Sequence, residues 1–214
     1  MGDFEGRLTT PALLGDGVAG SARLNRRSEL VEVPWLMQLA IDGRVFVSSD
    51  ADENDRVTGQ TSYAATTPTF LLNIPTGTLA IPLWVHMNQT GTVAGGVISI
   101  YMSYDGIARY SSGGTSEAIT NARTPSPRGS NCLLYSGATA AAASAARLLF
   151  TQTLDPDVTD PNLTEEVHAM AGRDFPFLCL GGPASFLVFT YAATTGVTVE
   201  WSIGWAEFTT SELV

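Results

Sequence analysis

From Leu30 the chain alternates. Val31, Val33, Trp35, Met37, Leu39 and Ile41 fall on one side of a period-2 pattern, and Glu32, Pro34, Gln38 and Asp42 on the other. This predicts a long half-buried strand that lies at an edge or bends at Pro34, where no ladder hydrogen bond can be donated. Asp42-Gly43 then reads as a hairpin turn, with Val45-Phe46-Val47 as the returning strand. Further strands are predicted at Phe70 to Ile74 and along Leu79, Ile81, Leu83, Val85 and Met87. Ile98, Ile100, Met102 and Tyr104 alternate in the next, and Asn131 to Tyr135 and Leu148 to Leu154 are shorter candidates. Phe175 to Leu180 and Phe186 to Tyr191 are apolar on both faces, as in covered strands. Val197, Val199, Trp201, Ile203 and Trp205 alternate against Thr198, Glu200 and Ser202 after a Thr194-Thr195-Gly196 turn. About ten strands with Gly, Pro, Asn and Ser between them point to an all-β sandwich or barrel.

Helix is scarce. Asp160-Pro161 sets a capping residue before a proline suited to a first helical turn, so Asn162 to Ala171 is read as a short helix. Ala138 to Ala146 is helix-prone by propensity but lacks large apolar anchors, so a short helix and a tightly packed loop both fit. Ser111 to Ser130, rich in Gly, Ser, Thr and Pro, reads as one long loop. Residues 1–28 show no period of 2 or 3.6, are broken by Gly2, Gly6, Gly15, Gly17 and Gly20, and end in Arg23, Arg26 and Arg27. They are read as an extended N-terminal arm, and residues 29–214 as the folded domain.

Composition narrows the function classes. The chain has 214 residues, Lys+Arg 11 against Asp+Glu 21, and a formal net charge of -10. It contains no Lys. Such a balance argues against a nucleic-acid-coating protein, whose phosphate contacts need many cations. An ordinary apolar share, 44%, argues against a disordered acidic chain. No basic n-region opens the sequence and no stretch reaches the roughly 18 apolar residues of a spanning helix. Neither a secretory signal nor a membrane partner is therefore expected. Without export, Cys132 and Cys179 are expected as reduced thiols, at least one of them buried.

Chemical motifs fail on context. Gly15-Asp16-Gly17-Val18-Ala19-Gly20 spells G-x-G-x-x-G but lacks the strand before it and the helix after it that a dinucleotide site needs. Asp50, Asp52 and Asn54 have the first spacings of a calcium loop, yet Asp55 and Thr61 stand where Gly and Glu belong. Asp50, Asp52, Glu53 and Asp55, or Asp155, Asp157 and Asp160, read as solvated acidic loops that could help hold a hard cation only with more oxygens. His86 shares a strand face with Trp84, and His168 falls in the candidate helix; neither has a nucleophile at a recognisable spacing. Ser185 reads as a strand start. Glu200 and Glu207 lie an odd number of positions apart, so on a regular strand they face opposite ways. Both read as ordinary outward carboxylates. No catalytic residue, cofactor or metal ligand is assigned, and the chain is not read as an enzyme.

Ile74-Pro75-Thr76-Gly77-Thr78 leading into Leu79-Ala80-Ile81-Pro82-Leu83, then Asn121-Ala122-Arg123-Thr124, Gly182-Pro183-Ala184-Ser185 and the closing Trp205-Ala206-Glu207-Phe208 carry a resemblance. Across residues 69–208 the chain resembles bacteriophage virion structural proteins of the jelly-roll β-sandwich kind, capsid or capsid-decorating (cement) proteins. The resemblance implies a structural role, an oligomer such as a trimer, and no catalytic residues.

The expectation is therefore a single jelly-roll-like antiparallel β-sandwich with an extended N-terminal arm and at most one or two short helices. As a virion structural protein it would be made in the host cytoplasm. It would then assemble in or on an icosahedral capsid with copies of itself and other capsid proteins. The arm and the 111–130 loop would reach neighbours, which makes Arg23, Arg26, Arg27, Arg123 and Arg128 the interface candidates. Contact of the arm with nucleic acid would be weak, since three cations release only about three counterions. The alternative is a carbohydrate- or receptor-binding jelly-roll module of a phage fibre or head, with Trp84, Tyr104 and Tyr110 as exposed aromatics.

Overall fold

The computed structural model describes residues 34–52, 55–90, 97–141, 146–154 and 166–212. The arm and its Arg23, Arg26 and Arg27 lie outside the described residues. Eight strands form the body: β1 (Val45–Ser49), β2 (Phe70–Ile74), β3 (Thr78–Gln89), β4 (Ile98–Asp105), β5 (Arg147–Leu154), β6 (Glu166–Met170), β7 (Ala184–Ala192) and β8 (Thr198–Thr209). The first sheet runs β6-β3-β8-β1 and the second β5-β4-β7-β2, all antiparallel.

The pairing is nested. β1 pairs with β8, β2 with β7, β3 with β6 and β4 with β5. A long hairpin folded over on itself gives this order, with alternate segments in opposite sheets. That is jelly-roll connectivity. Short segments extend the sheets: Thr120–Asn121 beyond β1, Leu133–Ser136 and Thr115–Ser116 beyond β2. The 111–130 stretch is thus not one structureless loop.

The core lies between the sheets. Val85, Met87, Val199, Trp201, Ile203 and Trp205 face Phe70, Leu72, Ile98, Ile100, Met102, Phe186 and Val188, and Phe70 packs on Trp201 with ring centroids 4.6 Å apart. The apolar alternation of β3 does not stay on one side. A bulge at Leu83, where Trp84 pairs with Gly204 but Pro82 with Trp205, shifts the phase. Val85 and Met87 enter the core, whereas Leu79, Ile81 and Leu83 face outward.

A helix covers that outward patch and corrects the first predicted strand. Trp35–Ile41 is α1, begun at Pro34. Leu36, Leu39 and Ala40, at helical spacing, pack on Leu79, Ile81, Leu83, Ala206 and Phe208. Trp35 and Met37, assigned by period 2 to a buried side, are exposed instead. The Asp42-Gly43 turn ends this helix rather than a hairpin. Gly43 has φ +67°, its N–H donates to Ala40 O, and the Arg44 N–H donates to Leu39 O. This is a Schellman stop, in which glycine takes the left-handed position without a Cβ penalty.

Two more expectations are revised. The helix read over Asn162 to Ala171 is the strand β6 from Glu166, because Val167 and Ala169 alternate into the core against β3. Phe175 to Leu180 is no covered strand; Phe175 makes a single bridge to Ala171, Leu180–Gly181 pairs with the start of β3, and Phe177 is exposed. Of the segment 138–146, Thr139–Ala140 forms a short strand with Tyr110–Ser112.

Candidate functional site: a polar cleft on the first sheet

Beyond the bulge of β3 the outer face of the first sheet turns polar. His86 and Asn88 point out because Val85, Met87 and Gln89 point in. Glu200 and Ser202 do the same on β8. His86, Asn88 and Glu200, with Ser49 at the end of β1, Asp50, Asp52 and Trp201, border a cleft of about 350 Å³.

Asp50 Oδ2 accepts the Trp201 N–H at 2.8 Å, while Oδ1 is enclosed without a partner. Burial raises this carboxyl to about 6, and the Asp55, Glu200 and Glu117 carboxylates add to the rise. The hydrogen bond from Trp201 opposes it. Arg56 reaches Glu200 at 3.1 Å across the rim.

Along the β3–β6 pair the two histidines meet. His168 stands directly opposite His86, and their ring centroids are 5.5 Å apart. Glu166, diagonal to His86, accepts its Nε2–H at 2.9 Å. Their distance in the chain, and the reading of His168 as helical, hid this pair. No group of three or more His, Cys, Asp or Glu side chains gathers for a metal among the described residues.

The remaining candidates are scattered. Arg123 is exposed on the loop beyond Thr120–Asn121. Arg128 is half-buried and its Nη2 donates to Glu207 O at 3.2 Å, so its guanidinium is used inside the domain. Trp84 packs on the outer face with its Nε1–H on Ser202 Oγ, Tyr104 packs at the core, and Tyr110 stacks on Tyr135 at 4.2 Å. These three aromatics do not share one face. The aromatic group that does form is Tyr63 with Tyr101, Phe189 and Tyr191, on the outer side of the second sheet.

Glu207 is not the outward carboxylate expected. It is fully buried, on the same side of β8 as Trp205. The Trp205 Nε1–H (2.7 Å), the Asn131 N–H (2.8 Å) and the Ser130 hydroxyl donate to it. It faces oppositely to Glu200, as the odd spacing requires. Its place on the buried phase of Val199, Trp201, Ile203 and Trp205 was the signal that it belongs inside. Cys132 lies beside it; burial and the Glu207 carboxylate push that thiol up. Both cysteines are free, Cys132 buried and Cys179 exposed. No helix among the described residues is long and apolar enough to cross a membrane.

Comparison with protein-family models, with curated proteins and with solved structures finds no match.

Proposed function

We propose that this chain is a virion structural protein whose jelly roll assembles in or on an icosahedral capsid, as shell subunit or as cement. Its mechanism is association: one surface, repeated by symmetry, is covered by copies of the same chain or by other capsid proteins. One observation carries the reading. At the start of α1, Trp35 meets Phe177 edge-on at 5.0 Å, and the two are 51% and 49% exposed. Two large rings held together in solvent are the composition of an interface anchor, since aromatics dominate the buried centre of such contacts. β5, the edge strand of the second sheet among the described residues, adds Leu148, also exposed, at a position suited to strand addition.

Sedimentation of the full chain tests this reading. A closed oligomer that dissociates when Trp35→Ala and Phe177→Ala are combined is expected. A monomer at high concentration, in both the parent and the variant, would contradict it.

The second reading, a carbohydrate- or receptor-binding module, is favoured by Tyr63, which is 46% exposed and lies over Tyr101, Phe189 and Tyr191. Such a platform suits the apolar face of a sugar ring. Glycan-array binding that Tyr63→Ala abolishes would support it over assembly.

A further inference from the structure

We propose that His86 and His168 form a two-imidazole binding site for a divalent transition ion such as zinc or nickel, with Glu166 as the carboxylate that orients His86. The pair sits in register on adjacent antiparallel strands, and both side chains leave the same outer face. Directly opposite residues hold their Cβ atoms about 4.5–5.5 Å apart. The backbone therefore sets the spacing before any ligand arrives.

That spacing fits a shared ion. With Zn–N bonds of about 2.0–2.1 Å and tetrahedral angles, two imidazoles on one zinc hold their ring centroids about 5 Å apart. The observed separation is 5.5 Å. A small rotation of either ring closes the difference; His168 is exposed and His86 half-buried, with its ring on the outer face.

Glu166 supplies the second independent feature. A histidine that ligates a metal nearly always donates its other ring N–H to a carboxylate or carbonyl, which fixes the tautomer and raises its basicity. His86 is placed to do so: its Nε2 lies 2.9 Å from Glu166 Oε1, and the tautomer that donates there has its Nδ1 lone pair for an ion. The groups around His168 do not oppose a cation. Arg173 donates to the His168 carbonyl, and its charge is matched by Asp174 at 2.8 Å. On the far side of His86 lie Ser202 and the acidic cleft with Glu200 and Asp50. The chain offers two ligands and one supporting carboxylate, and water completes the coordination. Bound there, the ion would staple the edge strand β6 to β3.

Calorimetric titration of the full chain with zinc chloride and with nickel chloride, near neutral pH in a non-chelating buffer, tests this. One ion per chain is expected, with a rise in thermal midpoint. His86→Gln and His168→Gln should each weaken binding at least about tenfold, because either removes half of the protein's ligands. Glu166→Gln should weaken it less, within the about 10–100-fold range of supporting partners. Glu166 and His168 are exposed and His86 is half-buried on the outer face, so none of the three changes enters the core; the circular dichroism spectrum of each variant checks that it folds. No binding to the parent chain would overturn the proposal. So would binding that survives in either histidine variant unchanged, since the ion would then sit elsewhere.

Discussion

The indole of Trp84 lies across Gly204 so closely that a Cβ built on the glycine would stand 2.3 Å from the ring. The contact sits at the bulge of β3, where the two strands change phase. Trp84 fills the space a side chain would take, donates Nε1–H to Ser202 and joins the apolar patch beneath α1. Gly204→Ala should therefore displace the ring and cost about 1–3 kcal/mol, the range of overpacked sites. Urea denaturation measures it. Combining Gly204→Ala with Trp84→Leu should cost less than the sum of the two single changes.

Glu207 fixes the 128–132 segment to β8 through donors on Ser130 and Asn131, and also accepts the Trp205 Nε1–H from its own strand. Glu207→Leu would leave the buried Trp205 Nε1–H without its acceptor, at about 1–3 kcal/mol, while the part-buried Asn131 N–H and Ser130 hydroxyl lose theirs and the hydroxyl keeps Cys132 O. A loss of about 1–3 kcal/mol is expected from equilibrium unfolding. Hydrogen exchange at the Asn131 and Cys132 amides should rise before the rest of the sheet opens.

Arg109 and Asp105 form a buried pair at 3.0 Å, with side chains 1% and 2% exposed. Arg109→Ala alone should cost about 3–5 kcal/mol, because it strands a buried carboxylate. Replacing both, as Asp105→Leu with Arg109→Met, should cost far less, since apolar pairs of similar volume often match buried ion pairs. Thermal unfolding of the single and double variants distinguishes the two outcomes.

Asp50 and Glu212 give opposite pH dependences. The folded-state value of Asp50 is raised from 3.8 to about 6. The unfolded chain therefore releases that proton first, and Asp50 lowers stability as pH climbs from about 4 to about 6 and keeps it lowered above. Asp50→Asn should stabilise the protein at neutral pH, with a gain that disappears near pH 4. Glu212 is lowered from 4.5 to about 2, chiefly by Arg44 at 2.7 Å. Its contribution is present above about 4.5 and is lost as pH falls towards 2. Glu212→Gln should flatten stability over that acid range. Urea midpoints across pH check both signs.

The pattern of apolar positions carries the strands whose phase is regular, whether one face is buried or both. Phe70 to Ile74, Ile98 to Tyr104, Phe186 to Tyr191 and Val197 to Trp205 read correctly because nothing interrupts their phase. Trp35–Ile41 misled because odd-numbered apolar residues fit a strand, while the helix uses Leu36, Leu39 and Ala40 and leaves Trp35 to solvent. Burial against the flipped part of β3 decided between the two periods, and a local pattern does not contain that partner. At β6 the Asp160-Pro161 capping signal argues for a helix, and the alternation of Val167 and Ala169 spans too few residues to outweigh it.

The cleft and the histidine pair were less legible still. His86 and His168 meet only because β3 pairs with β6, a relation set by the nested order of strands and not by any spacing. Glu207 was within reach of the sequence, since it stands on the buried phase of β8. Charge alone argued for an outward side chain, and the donors on Ser130 and Asn131 that reverse that argument lie far away in the chain.

The most direct measurement of the central claim is the mass and symmetry of the full chain, by analytical ultracentrifugation with electron microscopy of the same sample. A closed, symmetric oligomer or a capsid-bound array, with Trp35 and Phe177 shielded in the contact, is the predicted result. A chain that stays monomeric at the highest attainable concentration, with both rings still open to solvent and no binding to capsids, would contradict it.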